Sequence, residues 1–296
     1  MRIKPWLACL AAGAVFVLGA ARPADAAATA AVAADAVEHH YVFAGGGVRI
    51  EVLAQGSGRP LVLLPSRGRG AQDFDQLAQR FAQAGYRVLR PQPRGIGGSI
   101  GPMRGATLHD YADDMAAVIE DVARQPVVMV GHAFGNWVAR ATAVDHPEWV
   151  RGVVIVAAAA KQYPPGLSQL VDRSSDLSLP DAERLKAIQD AFFAPGHDAR
   201  VWLGGWYPEV NESQNQAGKA TRQADWWSGG KAPMLDLQAD LDKFKPPATR
   251  GEVRDEFGQR VTVAVIRGAG HALVPEAPQA VADAVIGWER GLPDRP

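Results

Sequence analysis

Cysteine is almost absent from this sequence, which contains a single one, Cys9. We expect Cys9 to be removed with an amino-terminal signal, so the mature chain can form neither a disulfide nor a cysteine metal site. Its position, early in an apolar run, also argues against a lipidated mature terminus. Stability then depends on a hydrophobic core, and the remaining residues, about 270, suffice for one large α/β domain.

A surplus of charge of one sign is also missing. The chain has 31 lysines plus arginines and 32 aspartates plus glutamates, for a formal net charge of −1. Nucleic-acid-binding domains usually carry a basic excess, so we expect no nucleic-acid partner. We find no metal cluster, phosphate loop or dinucleotide fingerprint and therefore expect no metal or cofactor. The sequence does not indicate an oligomeric state.

Only one apolar run is long, and it lies at the amino terminus. Arg2 and Lys4 precede the apolar stretch 6–21, and the small-residue site Ala24-Asp25-Ala26 follows it. This order is typical of a signal peptide, which we place at 1–26. Because a membrane span needs about 20 apolar residues, we expect cleavage rather than a retained anchor. The mature chain should be exported, either periplasmic or secreted.

The rest of the chain predicts one domain behind a short leader. Residues 27–37 are nearly all alanine and small polar residues, so we expect a disordered leader. From 38 to 296 we expect a mostly parallel, doubly wound α/β sheet, because a hairpin at 40–53 is followed by short apolar runs that alternate with helical spacing. The predicted sheet strands lie at 61–64, 86–89, 127–130, 153–156, 234–238 and 261–266.

The alternation of strands and helices stops at about 161–232. An insertion of this length in a sheet protein predicts a cap over the carboxyl ends of the strands, where α/β proteins bind ligands. Tryptophans crowd the insertion and predict a pocket for an apolar or aromatic small molecule. They are Trp202, Trp206, Trp226 and Trp227. The alternative is an excursion whose tryptophans form only its own core.

One motif in the chain is specific. The predicted strand 127–130 runs into Gly131-His132-Ala133-Phe134-Gly135 and then into a helical segment. Strand, Gly-x-Ser-x-Gly, helix is the nucleophile elbow of the α/β-hydrolases. The chain therefore resembles that superfamily over residues 38–296, with Ala133 at the position of the nucleophile.

Other motifs agree with this resemblance in order and spacing. Pro65-Ser66-Arg67-Gly68 resembles the oxyanion loop, and 93–99 resembles an Arg-Gly-x-Gly-x-Ser turn. The resemblance implies that Asp242 is the catalytic acid, with Asp240 as second choice, and that His271 is the catalytic histidine. The chain order of nucleophile, acid and histidine is intact.

The resemblance also implies a role for each residue. His271 would accept a proton, and Asp242 would hold its tautomer. The backbone N–H groups of Phe134 and Arg67 would polarise a carbonyl oxygen. An alanine at 133 leaves those donors in place and removes only the attacking oxygen.

Four interpretations of Ala133 stay open. It could be an introduced substitution in an ordinary serine hydrolase. The chain could be a natural hydrolase in which His271 activates water, or in which Ser66 is a relocated nucleophile. The same dyad could remove a proton from an acidic substrate, as in cofactor-independent lyases or oxygenases of this fold. The chain could also bind a ligand without turning it over.

Retention of both Asp242 and His271 favours an enzyme over a binder. We expect a hydrolase of an ester, a lactone or a related carbonyl compound, and a small apolar or aromatic molecule as its substrate. Loop arginines at the mouth of the pocket could also meet a carboxylate of the substrate. They are Arg67, Arg69 and Arg94.

Overall fold

The computed structural model of the chain describes residues 36–293. The predicted signal peptide and all but the last two residues of the predicted leader lie outside this range. Within it, no helix combines the length and apolar character that a bilayer span requires.

Eight strands form one sheet in the order β1-β2-β4-β3-β5-β6-β7-β8. β1 pairs antiparallel with β2, and β2 with β4, whereas all other neighbours are parallel. The predicted α/β class, the hairpin and all six predicted sheet strands are therefore confirmed. The strands are β1 Glu38–Gly45, β2 Val48–Gly56, β3 Arg59–Leu64, β4 Tyr86–Pro91, β5 Val127–His132, β6 Val150–Val156, β7 Met234–Ala239 and β8 Val261–Ile266.

Helices cover both faces of this sheet. The described residues form ten α-helices: α1 Asp75–Gln83, α2 Leu108–Val118, α3 Phe134–Asp145, α4 Leu167–Ser175, α5 Asp181–Phe192, α6 Pro208–Ala220, α7 Gln223–Trp226, α8 Glu252–Phe257, α9 Leu273–Glu276 and α10 Pro278–Arg290. Short 3₁₀ turns lie at Ala71–Phe74, Ala199–Trp202, Pro247–Thr249 and Gly258–Arg260, and a π turn lies at Ile119–Ala123.

The central strands are buried on both sides, which explains their continuous apolar sequences. In β5, Met129 packs into the core layer on one face of the sheet. Its neighbours Val128 and Val130 pack into the core layer on the other face. Successive side chains of a strand point to opposite faces of the sheet. A strand that is covered on both faces therefore has apolar residues at successive positions.

The segment between β6 and β7 contains helices α4 to α7 and no strand. It packs against the loop that follows β3, where the backbone N–H of Gly68 donates to Gln214 at 2.7 Å and that of Tyr207 donates to the carbonyl of Gly68 at 3.0 Å. Because β3 and β5 to β8 are parallel, their carboxyl ends share one edge of the sheet. This segment therefore lies beside the loops that carry the candidate site.

Close packing at the start of α3 requires glycine. A Cβ atom on Gly135 would lie 2.2 Å from the carbonyl oxygen of Leu64, and one on Gly131 would lie 2.4 Å from the backbone nitrogen of Asn136. Neither clash can be relieved by moving a flexible side chain, since the neighbours are backbone atoms. The two glycines thus let β3, β5 and α3 approach each other at the elbow.

We predict that Gly135→Ala lowers the free energy of unfolding by at least about 3 kcal/mol, since it forces backbone apart in a packed core. Gly287→Ala is the matched control. Gly287 lies in α10 with nothing within 4 Å of an added Cβ, so this variant should gain about 0.5–1 kcal/mol from helix propensity. Urea unfolding measures both values. Equal effects of the two substitutions would contradict the proposed close approach.

Candidate active site

The backbone turns sharply at Ala133, between β5 and α3. Ala133 has φ 47° and ψ −112°, and only Arg124 and Ala157 share a positive φ among the non-glycine residues of the described range. Such a conformation costs about 1–3 kcal/mol and persists only where the surroundings impose it. The N–H of Ala133 donates to the carbonyl of Val156 at 3.0 Å, which anchors the turn to the neighbouring strand. The strained elbow is therefore present although its residue carries no hydroxyl.

His271 and Asp242 form a buried pair at the same edge of the sheet. Nδ1 of His271 lies 2.9 Å and 3.1 Å from the two carboxylate oxygens of Asp242. The side chains are only 4% and 2% exposed. Asp242 also accepts the backbone N–H of Phe244 at 2.8 Å, which fixes the carboxylate. With Nδ1–H donating to Asp242, Nε2 is the nitrogen of His271 that can accept a proton.

The runner-up acid, Asp240, has a different task. It accepts the backbone N–H of Gly268 at 2.7 Å and so shapes the turn that leads to His271. Glu276 supports the same turn, since it accepts the N–H groups of Gly270 and Ala194, each at 2.6 Å. Burial raises the pKa of Glu276 above its ordinary value. These two carboxylates therefore hold the backbone turn that precedes His271.

Aromatic rings enclose the His271 imidazole. The ring centroid of Phe244 lies 4.2 Å from it, and the centroids of His132 and Phe192 lie 5.7 Å and 5.8 Å away. Nε2 of His132 donates to the backbone carbonyl of His271 at 2.7 Å. His132 is fully buried, and this burial, followed by the nearby His271, lowers its pKa to about 3. His132 is therefore a neutral side chain that supports the backbone of His271.

A cavity, here named the front chamber, opens beside these residues. It brings together five of the residues predicted for the site: Ser66, Arg67, Ala133, Phe134 and His271. Asp242 lies behind His271, outside the lining. The full lining consists of Ser66, Arg67, Ala133, Phe134, Trp137, Ala159, Tyr163, Ser168, Val171, Phe192, Phe244 and His271.

Two backbone N–H groups at the front chamber are available as donors. Those of Arg67 and Phe134 donate no hydrogen bond to any residue within 36–293. Phe134 is the first residue of α3, and N–H groups in the first turn of a helix have no partner inside the helix. Both residues line the cavity beside Ala133. The arrangement has the features of an oxyanion hole.

The four insertion tryptophans do not line the front chamber, and this prediction needs correction. Trp202 and Trp206 hold the Arg69 guanidinium, which lies 4.7 Å and 4.8 Å from their ring centroids. Trp226 stacks on Trp137 at 5.0 Å, and Trp227 lies 4.1 Å from the guanidinium of the buried Arg140. The large indoles fill the interior between elements. The aromatic wall of the cavity is formed instead by Phe134, Trp137, Tyr163, Phe192 and Phe244.

The loop arginines are also not available to an anionic substrate. Arg69 makes a bidentate ion pair with Asp73, at 2.6 Å and 2.8 Å, and Arg94 makes one with Asp114, at 2.7 Å and 2.8 Å. Arg67 donates its side chain to residues of the insertion, Asn215 at 2.9 Å and Asp172 at 3.0 Å. These contacts join loops to one another, so the expected preference for a carboxylate has no support.

Sequence reasoning missed the aromatic lining. Trp137 follows Ala133 by one helical turn in the chain, so helical spacing alone could have placed it on the same face. Phe244 follows the acid by two residues. Phe192 carried no local signal, because it lies 79 positions from His271 in the sequence. Only the tertiary fold brings that ring to the histidine.

We predict that His132 makes the fold sensitive to acid. Its pKa is about 3 in the folded state against an ordinary 6.5, so the unfolded chain binds more protons between these values. The free energy of unfolding should therefore fall with pH below 6.5, by up to about 1.4 kcal/mol per pH unit from this group.

The measurement is urea unfolding at pH values from 7 down to 4, compared with His132→Gln, which keeps a donor for the His271 carbonyl. The curve of the variant should be shallower over this range. His40→Gln, at a half-buried histidine on β1, is the control and should follow the parent chain. Parallel curves for all three proteins would remove His132 as the cause.

Comparison with known proteins identifies relatives of this chain among haloperoxidases and hydrolases. A non-heme haloperoxidase from Rhodococcus erythropolis is 26% identical over 254 residues, which cover 79% of this chain and 93% of that protein. A soluble epoxide hydrolase from Corynebacterium sp. (strain C12) is 28% identical over 288 residues, 84% of this chain and 96% of that protein. Several other relatives are matched over less than half of their own length.

Solved structures show the same fold. An esterase from Exiguobacterium antarcticum superposes with a TM-score of 0.73 at 20% identity, over 86% of this chain and 100% of that one. Residues 59–278, well over half of the chain, match the family described as serine aminopeptidase, S33. The chain therefore belongs to the serine aminopeptidase S33 family, within the α/β-hydrolase superfamily.

Proposed function

We propose that this chain is an exported hydrolase of a small ester, lactone or related carbonyl compound, in which His271 and Asp242 activate water directly. The observation that carries the proposal is the buried hydrogen bond between the two, at 2.9 Å, beside a cavity that Ala133 lines. A chain released from catalysis has no need to keep such a pair. The proposed export rests on the sequence of 1–26.

The proposed reaction has two steps, and His271 transfers a proton in each of them. Nε2 of His271 takes a proton from a water molecule as the water oxygen bonds to the carbonyl carbon of the substrate. The N–H groups of Phe134 and Arg67 stabilise the resulting oxyanion, and the imidazolium is stabilised by Asp242. When the carbon–oxygen bond to the leaving group breaks, the imidazolium returns the proton to it. Ester and water thus give acid and alcohol, and no cofactor is needed.

Turnover by this route should be slow compared with a serine enzyme. Removal of the serine from a catalytic triad leaves about 10³–10⁴-fold acceleration over water, which comes from the oxyanion hole and from binding. A general base adds about 10²–10⁴-fold where it is well placed. The imidazole of this chain is held rigidly enough to contribute in this way.

The lining of the front chamber supports a small apolar or aromatic substrate. Its lining is mainly apolar with a few polar groups, as in most small-molecule sites. Five aromatic side chains line it besides His271, and the side chain of its arginine donates to Asn215 and Asp172 of the insertion. Relatives named as an esterase and as an epoxide hydrolase agree with hydrolysis of a small molecule.

Ser66 is the other hydroxyl that the proposal has to consider. It lines the front chamber and is 4% exposed, next to the Arg67 donor. We assign it to the shape of the loop, because no contact of its hydroxyl with His271 accompanies that position. The labelling experiment below tests directly whether Ser66 forms a covalent intermediate.

We predict that His271→Ala lowers kcat/KM for aryl esters such as p-nitrophenyl butyrate by about 10²–10⁴-fold, since it removes the base. Asp242→Asn should cause a loss of similar size, because the tautomer is no longer held. His40→Ala, at a half-buried histidine on β1 that does not line the front chamber, is the control and should retain full activity. Initial rates measured with the mature chain decide the matter. Unchanged turnover in His271→Ala would remove the dyad from the mechanism.

We predict that a fluorophosphonate probe does not label the parent chain, whereas Ala133→Ser becomes labelled at residue 133. The elbow, the histidine and the donors are already placed for a serine, so this variant should also hydrolyse aryl esters at least about 10²-fold faster. Intact-protein and peptide mass spectrometry locate the label. Labelling of the parent chain that disappears in Ser66→Ala would instead establish a relocated nucleophile.

A further inference from the structure

A second cavity, named here the rear chamber, lies beside Leu64 and Pro65 at the carboxyl end of β3. Its apolar walls are formed by Ile50, Leu64, Pro91, Tyr111, Met115 and Val138. Among the described residues, Phe134 alone lines both this chamber and the front chamber.

The ring of Phe134 stands between one aromatic side chain of each chamber. On the front side, its centroid lies 5.6 Å from that of Trp137. On the rear side, it meets Tyr111 edge to face at 6.2 Å. Trp137 lines the front chamber and Tyr111 the rear one. The side chain of Phe134 thus borders both chambers, while its backbone N–H is the proposed oxyanion donor.

Several polar groups in the wall of the rear chamber already have partners. Arg94 is paired with Asp114 through two hydrogen bonds, at 2.7 Å and 2.8 Å. The side-chain oxygen of Gln214 accepts the N–H of Gly68, and the hydroxyl of Tyr111 lies 3.0 Å from that of Ser213. Groups that are satisfied in this way offer little to a polar guest. The chamber therefore favours an apolar occupant.

We propose that Phe134 determines substrate length by closing off the rear chamber, which would otherwise receive the apolar arm of a long-chain carbonyl substrate. This inference rests on the proposed function and assigns its substrates: compounds whose apolar arm fits within the front chamber. The backbone N–H of Phe134 would bind the oxygen of the reacting carbonyl, so the side chain of Phe134 begins next to that carbonyl. Truncating this side chain would therefore extend the pocket at the point where the apolar arm of the substrate begins.

The test uses straight-chain methyl ketones from four to twelve carbons, which present a carbonyl but are not hydrolysed. Isothermal titration calorimetry gives the dissociation constant of each ketone. For the parent chain, affinity should rise by about fourfold per methylene, the value for burying a CH₂ group, and then level off when the front chamber is full. In Phe134→Ala, the rise should continue for at least three further methylenes.

Matched variants separate the two chambers. Val171 lines only the front chamber, so Val171→Ala should move the plateau by no more than about one methylene. Val138 lines only the rear chamber, so Val138→Phe should leave the parent series unchanged and should restore the plateau in the Phe134→Ala background. If Phe134→Ala does not fold, Phe134→Leu should give an intermediate extension.

Two results would overturn the proposal: a parent series without a plateau, or the same plateau in the parent and in the position-134 variants. Persistence of the extension in Phe134→Ala/Val138→Phe would also overturn it, because the arm would then lie elsewhere. The ketones report on binding alone. A protein without turnover can therefore still confirm the proposed role of Phe134, and a hydrolase with an unchanged ketone series would refute that role only.

Discussion

The hydrogen bond between Nδ1 of His271 and the carboxylate of Asp242 is the interaction on which the rest of the site depends. Both side chains are almost completely buried, and a charge-assisted hydrogen bond is stronger where water is excluded. The bond fixes which nitrogen of the imidazole faces the cavity. The aromatic rings of Phe192 and Phe244 then restrict the ring itself. In the proposed reaction, the cavity, the two N–H donors and the side chain of Phe134 all act on a substrate that lies beside this oriented base.

The fold supplies this arrangement without requiring a hydroxyl at the elbow. Parallel strands deliver the elbow, the acid and the histidine to one edge of the sheet in separate loops, and the insertion between β6 and β7 holds the oxyanion loop through Gly68. The turn at Ala133 is held by the hydrogen bond from its N–H to Val156 and lies next to the close contact between Gly135 and Leu64, and neither contact involves the side chain at 133. An alanine at this position therefore lacks an attacking oxygen but keeps the backbone of the elbow. The groups that would position a substrate are therefore distinct from the group that would attack it.

Much of this architecture could be predicted from the sequence, because its signals are local. Continuous apolar runs predicted the strands, and the spacing of the elbow, Asp242 and His271 gave the order of the site residues. The walls of the cavity could not be predicted in the same way. Phe192 reaches the histidine only through tertiary packing, and the tryptophans of the insertion pack in the protein interior instead of lining the front chamber. The partner of Arg94 was equally hidden, since Asp114 lies 20 residues away on another element.

The tautomer of His271 tests the central claim most directly. Chains labelled with ¹⁵N-histidine, with His271→Ala used for assignment, allow both imidazole nitrogens to be observed by NMR at neutral pH. We predict a protonated Nδ1 and an unprotonated Nε2, with Asp242→Asn disturbing this preference. An imidazole that carries its proton on Nε2, or one whose nitrogens are unaffected by Asp242→Asn, would contradict the account of an aspartate-held base acting without the elbow serine.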